Sequence, residues 1–201
     1  MQLATDANRL VELPIAGLWE RTFTVAPLVL VGTKEGTGWD FAPKHLAMPL
    51  GWEDFYCFAC TPRHATYRNV KAHPQFTISF PGPEQIMESS FAAGGRIEGD
   101  DKPTLRAVPT AAARVVDGRV VEGSRLWLEC ELERIIDGFG AASLIVGRVV
   151  AAYAAREAVR GAEVDDADLV YRLGLLAYLS PGRFAMVRES LAFPYPFDFR
   201  R

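Results

Sequence analysis

The stretch Thr61 to Val70, TPRHATYRNV, gathers two arginines, a histidine, two threonines, a tyrosine and an asparagine directly after the apolar run DFYCFAC. If it opens a helix, the first-turn N–H groups lack intrahelical partners and carry partial positive charge. A phosphate is held in such a place without special arrangement. Arg63 adds a planar bidentate donor, Thr66 a hydroxyl, and His64 and Asn69 further donors. The same residues also read as a capped surface helix whose arginines face water, because polar first turns are common. A second polar cluster, Lys44 and His45 in GWDFAPKHLA, precedes the strand that feeds this helix. If the two segments are neighbours, Lys44 falls near Arg63 and Thr66. A planar ligand then has room along the backbone of Phe41, Ala42 and Pro43, between apolar walls. Taken alone, this segment reads as a proline-broken surface loop.

Two other patterns carry less chemistry. Cys57 and Cys60 have C-x-x-C spacing, which serves redox or metal sites. Here the spacing lies inside an apolar strand, where residues three apart point to opposite faces. A redox pair wants a helix N-terminus and a zinc site wants a second ligand pair, so buried structural thiols are the expectation. The tail FPYPFDFRR repeats an aromatic at Phe193, Tyr195, Phe197 and Phe199 and is expected to pack in a groove on its own domain or on a partner. No Ser-His-Asp arrangement or paired-carboxylate motif stands out.

The elements that must position these residues are mostly strands. Leu28 to Val31 is a continuous apolar run, suited to a strand buried on both faces. KEGTGW reads as a turn, DFAPKHLAMPLG as an irregular strand or loop, and DFYCFAC as a second buried strand. Thr61 as N-cap and Pro62 at the first helical position predict a helix that ends before Pro74. QFTISF alternates as a strand, and PEQIMESSFAAGG reads as a helix stopped at Gly94. RVVDGRVV predicts a hairpin turning at Asp117-Gly118. In SRLWLECELERII, Leu126, Leu128, Cys130 and Leu132 share one face, and Trp127, Glu129, Glu131 and Glu133 the other. AASLIVGRVVAAYAA is a further strand, with Gly147 as a bulge or close approach. About six or seven strands with a few short helices favour a barrel or sandwich. No glycine-rich dinucleotide fingerprint follows a strand.

With 201 residues the chain is expected to form one domain able to bury its own core. A net charge of −3 offers no electrostatic footprint for nucleic acid. No apolar stretch is long enough to span a membrane, and the N-terminus lacks the pattern of a signal peptide. Three cysteines, an odd number, argue against a disulfide framework and for a cytoplasmic protein with reduced thiols.

Taken in order, these segments resemble the flavin reductase-like family of FMN-binding split barrels, including its flavoredoxin-type members. The family's G-x-x-N-x-A-P-x-S segment appears as GWDFAPKHL, with Asp40 for the asparagine and His45 for the serine. Its R-x-x-T-x-x-N-[IV] helix appears as RHATYRNV, and its F-x-[IV]-[NS] strand as QFTISF. WLECELERI and ASLIVGRV match its later strands, and YRLGLLAYLSPGRFAMV its closing segment, so the resemblance spans roughly residues 20 to 188.

The resemblance implies a mainly β fold with short helices, an FMN-binding split β-barrel over residues 1–188 followed by the tail at 189–201. It implies a homodimer with FMN at or near the subunit interface and NAD(P)H as co-substrate. Ala42 and Pro43 would run beside the flavin ring, with Asp40 and Phe41 leading into them. The segments at 40–46 and 61–69 would hold the flavin and its phosphate, with Lys44 and His45 at polar flavin contacts, Arg63, Thr66 and Asn69 at the phosphate end, and Asp40, Phe41, Thr61 and His64 among the cofactor-binding residues. The family's histidine on the nicotinamide side is Ala142 here, followed by Ser143 for its threonine. The expected function is a flavin reductase-like oxidoreductase. The alternatives are an FMN-binding electron carrier or sensor without reductase activity, and a split barrel holding another cofactor such as haem through His45, His64 or His73.

Overall fold

The structure is a computed structural model and describes residues 10–192. The expected aromatic tail, Phe193 to Phe199, lies outside the described residues. Among the described residues, the chain forms twelve strands and three short α-helices. β1 (Thr24–Pro27) leads into β2 (Val29–Glu35), whose first five residues are all buried, as expected of a strand covered on both faces. Gly36 turns the chain at a φ of 56° into β3 (Gly38–Lys44). This segment is more regular than the sequence implies, since it pairs with β2 in unbroken register from Lys44 opposite Val29 to Gly38 opposite Glu35. Pro43 is tolerated because β3 is the edge strand of its sheet, where a missing N–H need not interrupt a ladder.

After β4 (Ala47–Pro49) and β5 (Phe55–Cys60) comes α1 (Ala65–Ala72). The helix begins later than Thr61 and Pro62 predict. Thr61 to His64 form a turn closed by the His64 N–H on the Thr61 carbonyl, and His64 takes the N-cap position. It ends as expected before Pro74. β6 (Gln75–Phe80) and α2 (Ile86–Ala92) follow, and Gly94 lies just past the helix end.

The next hairpin pairs β7 (Thr110–Ala112) with β8 (Arg119–Val121). Its first strand is therefore not the predicted Arg114–Val116, which lies in the connecting loop. The chain continues through β9 (Leu126–Phe139), β10 (Ala142–Ala154), α3 (Asp166–Leu173), β11 (Leu175–Ser180) and β12 (Arg183–Val187).

The main sheet has seven antiparallel strands in the order β3-β2-β6-β9-β10-β5-β4, curled into a half-barrel. A three-stranded sheet, β1-β11-β12, stands beside it. One face of the main sheet packs Val29, Val31, Phe58, Phe76, Ile78, Cys130 and Ile145 against Tyr67 and Val70 of α1. The opposite face packs Leu30 and Phe41 against Ala92 of α2, Val108 and Val121. Gly147 is both the bulge and the close approach foreseen. The register with β9 shifts there, and a Cβ would stand 2.3 Å from the Phe76 ring.

The polar face of β9 holds a surprise. Glu129 is fully buried and its carboxylate accepts the N–H groups of Arg114, Val115 and Val116 at 2.8, 2.6 and 3.0 Å. The β7–β8 loop covers this face because Glu129 supplies acceptors for donors that a turn leaves unpaired.

Candidate functional site

A cleft of about 200 Å³ opens where the end of β3, the β3–β4 connection, the end of β5, the turn before α1 and the start of β10 converge. Pro43, Leu46, Ala59 and Ala142 give it apolar walls, and Lys44, His45, Thr61 and His64 bring polar atoms to it. Of the two segments singled out in the sequence, Arg63, Thr66 and Asn69 do not line this cleft, whereas Pro43 to Leu46 and Thr61 with His64 meet there. Antiparallel pairing of β4 with β5 achieves this, because it folds the chain after His45 back along Phe58 and Cys57.

The cleft is electropositive. Among the described residues Lys44 and Arg63 have no acidic partner, and no acid lines the cleft. Burial and the neighbouring Lys44 push the His45 imidazole below the ordinary histidine range. Burial pushes His64 down as well, helped by Lys44, Arg63 and Arg68. Both rings are therefore neutral near pH 7, each with one donor and one acceptor nitrogen.

α1 starts without a side-chain cap. In its first turn the Thr66 hydroxyl is 1% exposed and has no hydrogen-bond partner. A buried hydroxyl without a partner is costly, so a bound acceptor would relieve it. Arg63 is exposed beside the turn, and its carbonyl accepts from the Arg68 guanidinium at 2.6 Å. Ala42 is half-buried, next to Pro43 on β3.

Three candidates point elsewhere. The Asp40 carboxylate is buried between Arg96 at 3.1 Å and Lys102 at 3.3 Å. A carboxylate can hold two cations where an asparagine could not, which accounts for the residue type. Phe41 sits in the second core, and its carbonyl accepts from Lys102 at 2.6 Å. The Asn69 amide donates to Thr33 at 3.1 Å and fastens α1 to β2. These residues hold the two halves of the cleft in place from behind. Cys57 and Cys60 are buried free thiols, and burial pushes Cys57 upward.

Arg68, within Thr61 to Val70 but not among the expected site residues, curls back over the turn. Tyr178 of β11, also outside the expected site residues, has its ring 4.5 Å from that of His45. No local pattern links these two positions, since the contact exists only once the small sheet docks.

A family model described as "Flavin reductase like domain" matches residues 21–177. No curated protein matches the sequence. Among solved structures, a chain from Shewanella frigidimarina NCIMB 400 described as having a split barrel domain is 16% identical, with TM-score 0.74 over 86% of this chain and 87% of that one. An FMN-binding protein from Thermus thermophilus is 20% identical, with TM-score 0.70 over 91% and 97%. Flavoredoxin from Methanosarcina acetivorans is 14% identical, with TM-score 0.76 over 92% and 95%. At these identities the likeness establishes the fold, which is a split barrel.

Proposed function

The chain belongs to the flavin reductase-like domain family, and on that premise we propose that it is an FMN-binding oxidoreductase whose cleft receives the phosphate end of the cofactor. The observation that carries this reading is the unpartnered, buried Thr66 hydroxyl in the uncapped first turn of α1, beside a cleft with Lys44 and without acids. A phosphate supplies acceptor oxygens for the hydroxyl and the first-turn N–H groups and negative charge for Lys44, with the exposed Arg63, outside the cleft lining, as a weaker contributor. Pro43 and Ala42 offer the flavin ring an apolar strand edge. FMN itself supplies the electron-transfer chemistry. The chain's residues bind it, orient it and set the charge around it.

The cleft is smaller than the roughly 300–1,000 Å³ of a complete cofactor site. Leu46 and Met48, beside it, are 61% and 54% exposed, and Trp52 is 90% exposed. This supports a homodimer in which a second copy covers the ring end. Free buried thiols at Cys57, Cys60 and Cys130 fit a reducing compartment such as the cytoplasm. Among the described residues, no helix is long and apolar enough to cross a membrane.

A second reading, an FMN-binding electron carrier or sensor, is favoured by Ala142. It lines the cleft with a methyl group where the family resemblance expects an imidazole on the nicotinamide side. Purified protein should show flavin absorbance after FMN loading and gel filtration. A colourless product rejects both readings. Steady NAD(P)H oxidation by the loaded protein selects the reductase, and its absence selects the carrier.

A further inference from the structure

We infer that Tyr178 is a positioning residue for the proposed FMN site: it holds the His45 imidazole in one plane at the cleft wall and so ties the small sheet to the bound phosphate. This rests on the reading of the cleft as an anion site. His45 lies on the short connection between β3 and β4, half open to solvent, where a histidine would ordinarily sample several rotamers. Its ring is tilted by 33° over that of Tyr178, with centroids 4.5 Å apart.

Tyr178 is itself fixed from several sides. β11 is the middle strand of its sheet, and Tyr178 pairs with Ala26 on β1 and Phe184 on β12. The Phe184 ring meets it edge-on, 5.9 Å between centroids. Its hydroxyl accepts the Gly182 N–H at 2.8 Å. Of the two stacked rings, the one on the sheet is the anchor and the one on the loop is held.

The groups that share the cleft with His45 are Lys44 from β3, His64 before α1 and Cys60 at the end of β5. None is an acid, so nothing in the cleft draws a proton onto the imidazole before an anion arrives. Tyr178 covers one face of the ring, which still lines the cleft beside Lys44. A donor held in place before binding saves the ordering that a mobile one would require.

The test is an NMR titration of the imidazoles in the FMN-free protein, with His64 and His73 as internal references. Ring-to-ring NOEs between His45 and Tyr178 are expected in the unsubstituted protein. Tyr178→Phe keeps the stack, and His45 titrates as before. Tyr178→Leu uncovers the ring, and His45 alone shifts toward the ordinary histidine range. In mildly alkaline solution, where the imidazole is neutral in every variant, FMN affinity falls roughly threefold to tenfold for Tyr178→Leu, the scale of one aromatic pair, and much less for Tyr178→Phe. Missing NOEs overturn the inference whether or not Tyr178→Leu folds, and so does an unmoved His45 in a folded Tyr178→Leu protein. Failure of FMN to bind would remove the proposed function and leave the NMR result to decide the positioning.

Discussion

Lys44→Met removes the cation that lines the cleft while keeping an unbranched apolar stem of similar length. If Lys44 makes a charge-assisted bond to the FMN phosphate, its loss costs about 1.5–3 kcal/mol, which is about tenfold to 150-fold in Kd. Riboflavin lacks the phosphate and should lose little. The effect also depends on pH, in a direction the structure sets. Burial first, and Lys44 after it, holds His45 and His64 below the ordinary histidine range. Both rings are neutral in mildly alkaline solution and gain charge as pH falls through their lowered values, so affinity for a phosphate dianion rises as pH falls. Without Lys44 the two histidines titrate at higher pH and replace part of the missing charge. The deficit of Lys44→Met should therefore be largest near about pH 8 and shrink toward about pH 6.5, above the second phosphate ionisation near about pH 6. Quenching of flavin fluorescence gives both affinities. Equal losses for FMN and riboflavin, or a deficit that grows as pH falls, would refute the reasoning.

Arg63 is exposed and does not line the cleft, so Arg63→Ala should weaken FMN binding clearly less than Lys44→Met in the same titration. Glu129→Gln leaves one acceptor oxygen for three backbone donors and sets an amide N–H₂ against the third. Losing a charge-assisted bond and leaving a donor unpaired should cost about 2–5 kcal/mol in urea unfolding, and a change under about 0.5 kcal/mol would contradict the role given to this carboxylate. Gly147→Ala drives a methyl group into the Phe76 ring, itself fully buried and edge-on to Phe58 at 5.6 Å. Overpacking of about 1–3 kcal/mol should lower Tm by about 2–12 °C, and an unchanged Tm would show that the core can give way there.

Much of the frame was legible because it rests on local periodicity. The buried run before Gly36, the alternation of QFTISF and the proline stop after α1 all depend on neighbours in sequence. Gly147 was legible too, since a lone glycine in an apolar strand signals close contact. What escaped depends on contacts distant in sequence. Glu129 alternates as a solvent-facing residue should, and only the β7–β8 loop buries it. Asp40 and Phe41 stand next to Ala42 and Pro43 on β3, yet their side chains turn to Lys102 and to the second core. The start of α1 was misplaced because Thr61-Pro62 is a good helix opening in isolation, whereas here those residues form the turn that carries Thr61 and His64 to the cleft.

If the cleft between β3 and α1 receives the phosphate monoester of a flavin, the phosphate must contribute to affinity. Titrating the unsubstituted protein into FMN and, separately, riboflavin tests it most directly. Flavin fluorescence should be quenched in both cases, and FMN should bind at least about tenfold more tightly, the worth of one charge-assisted contact. Equal affinities, or no quenching of FMN, would contradict it.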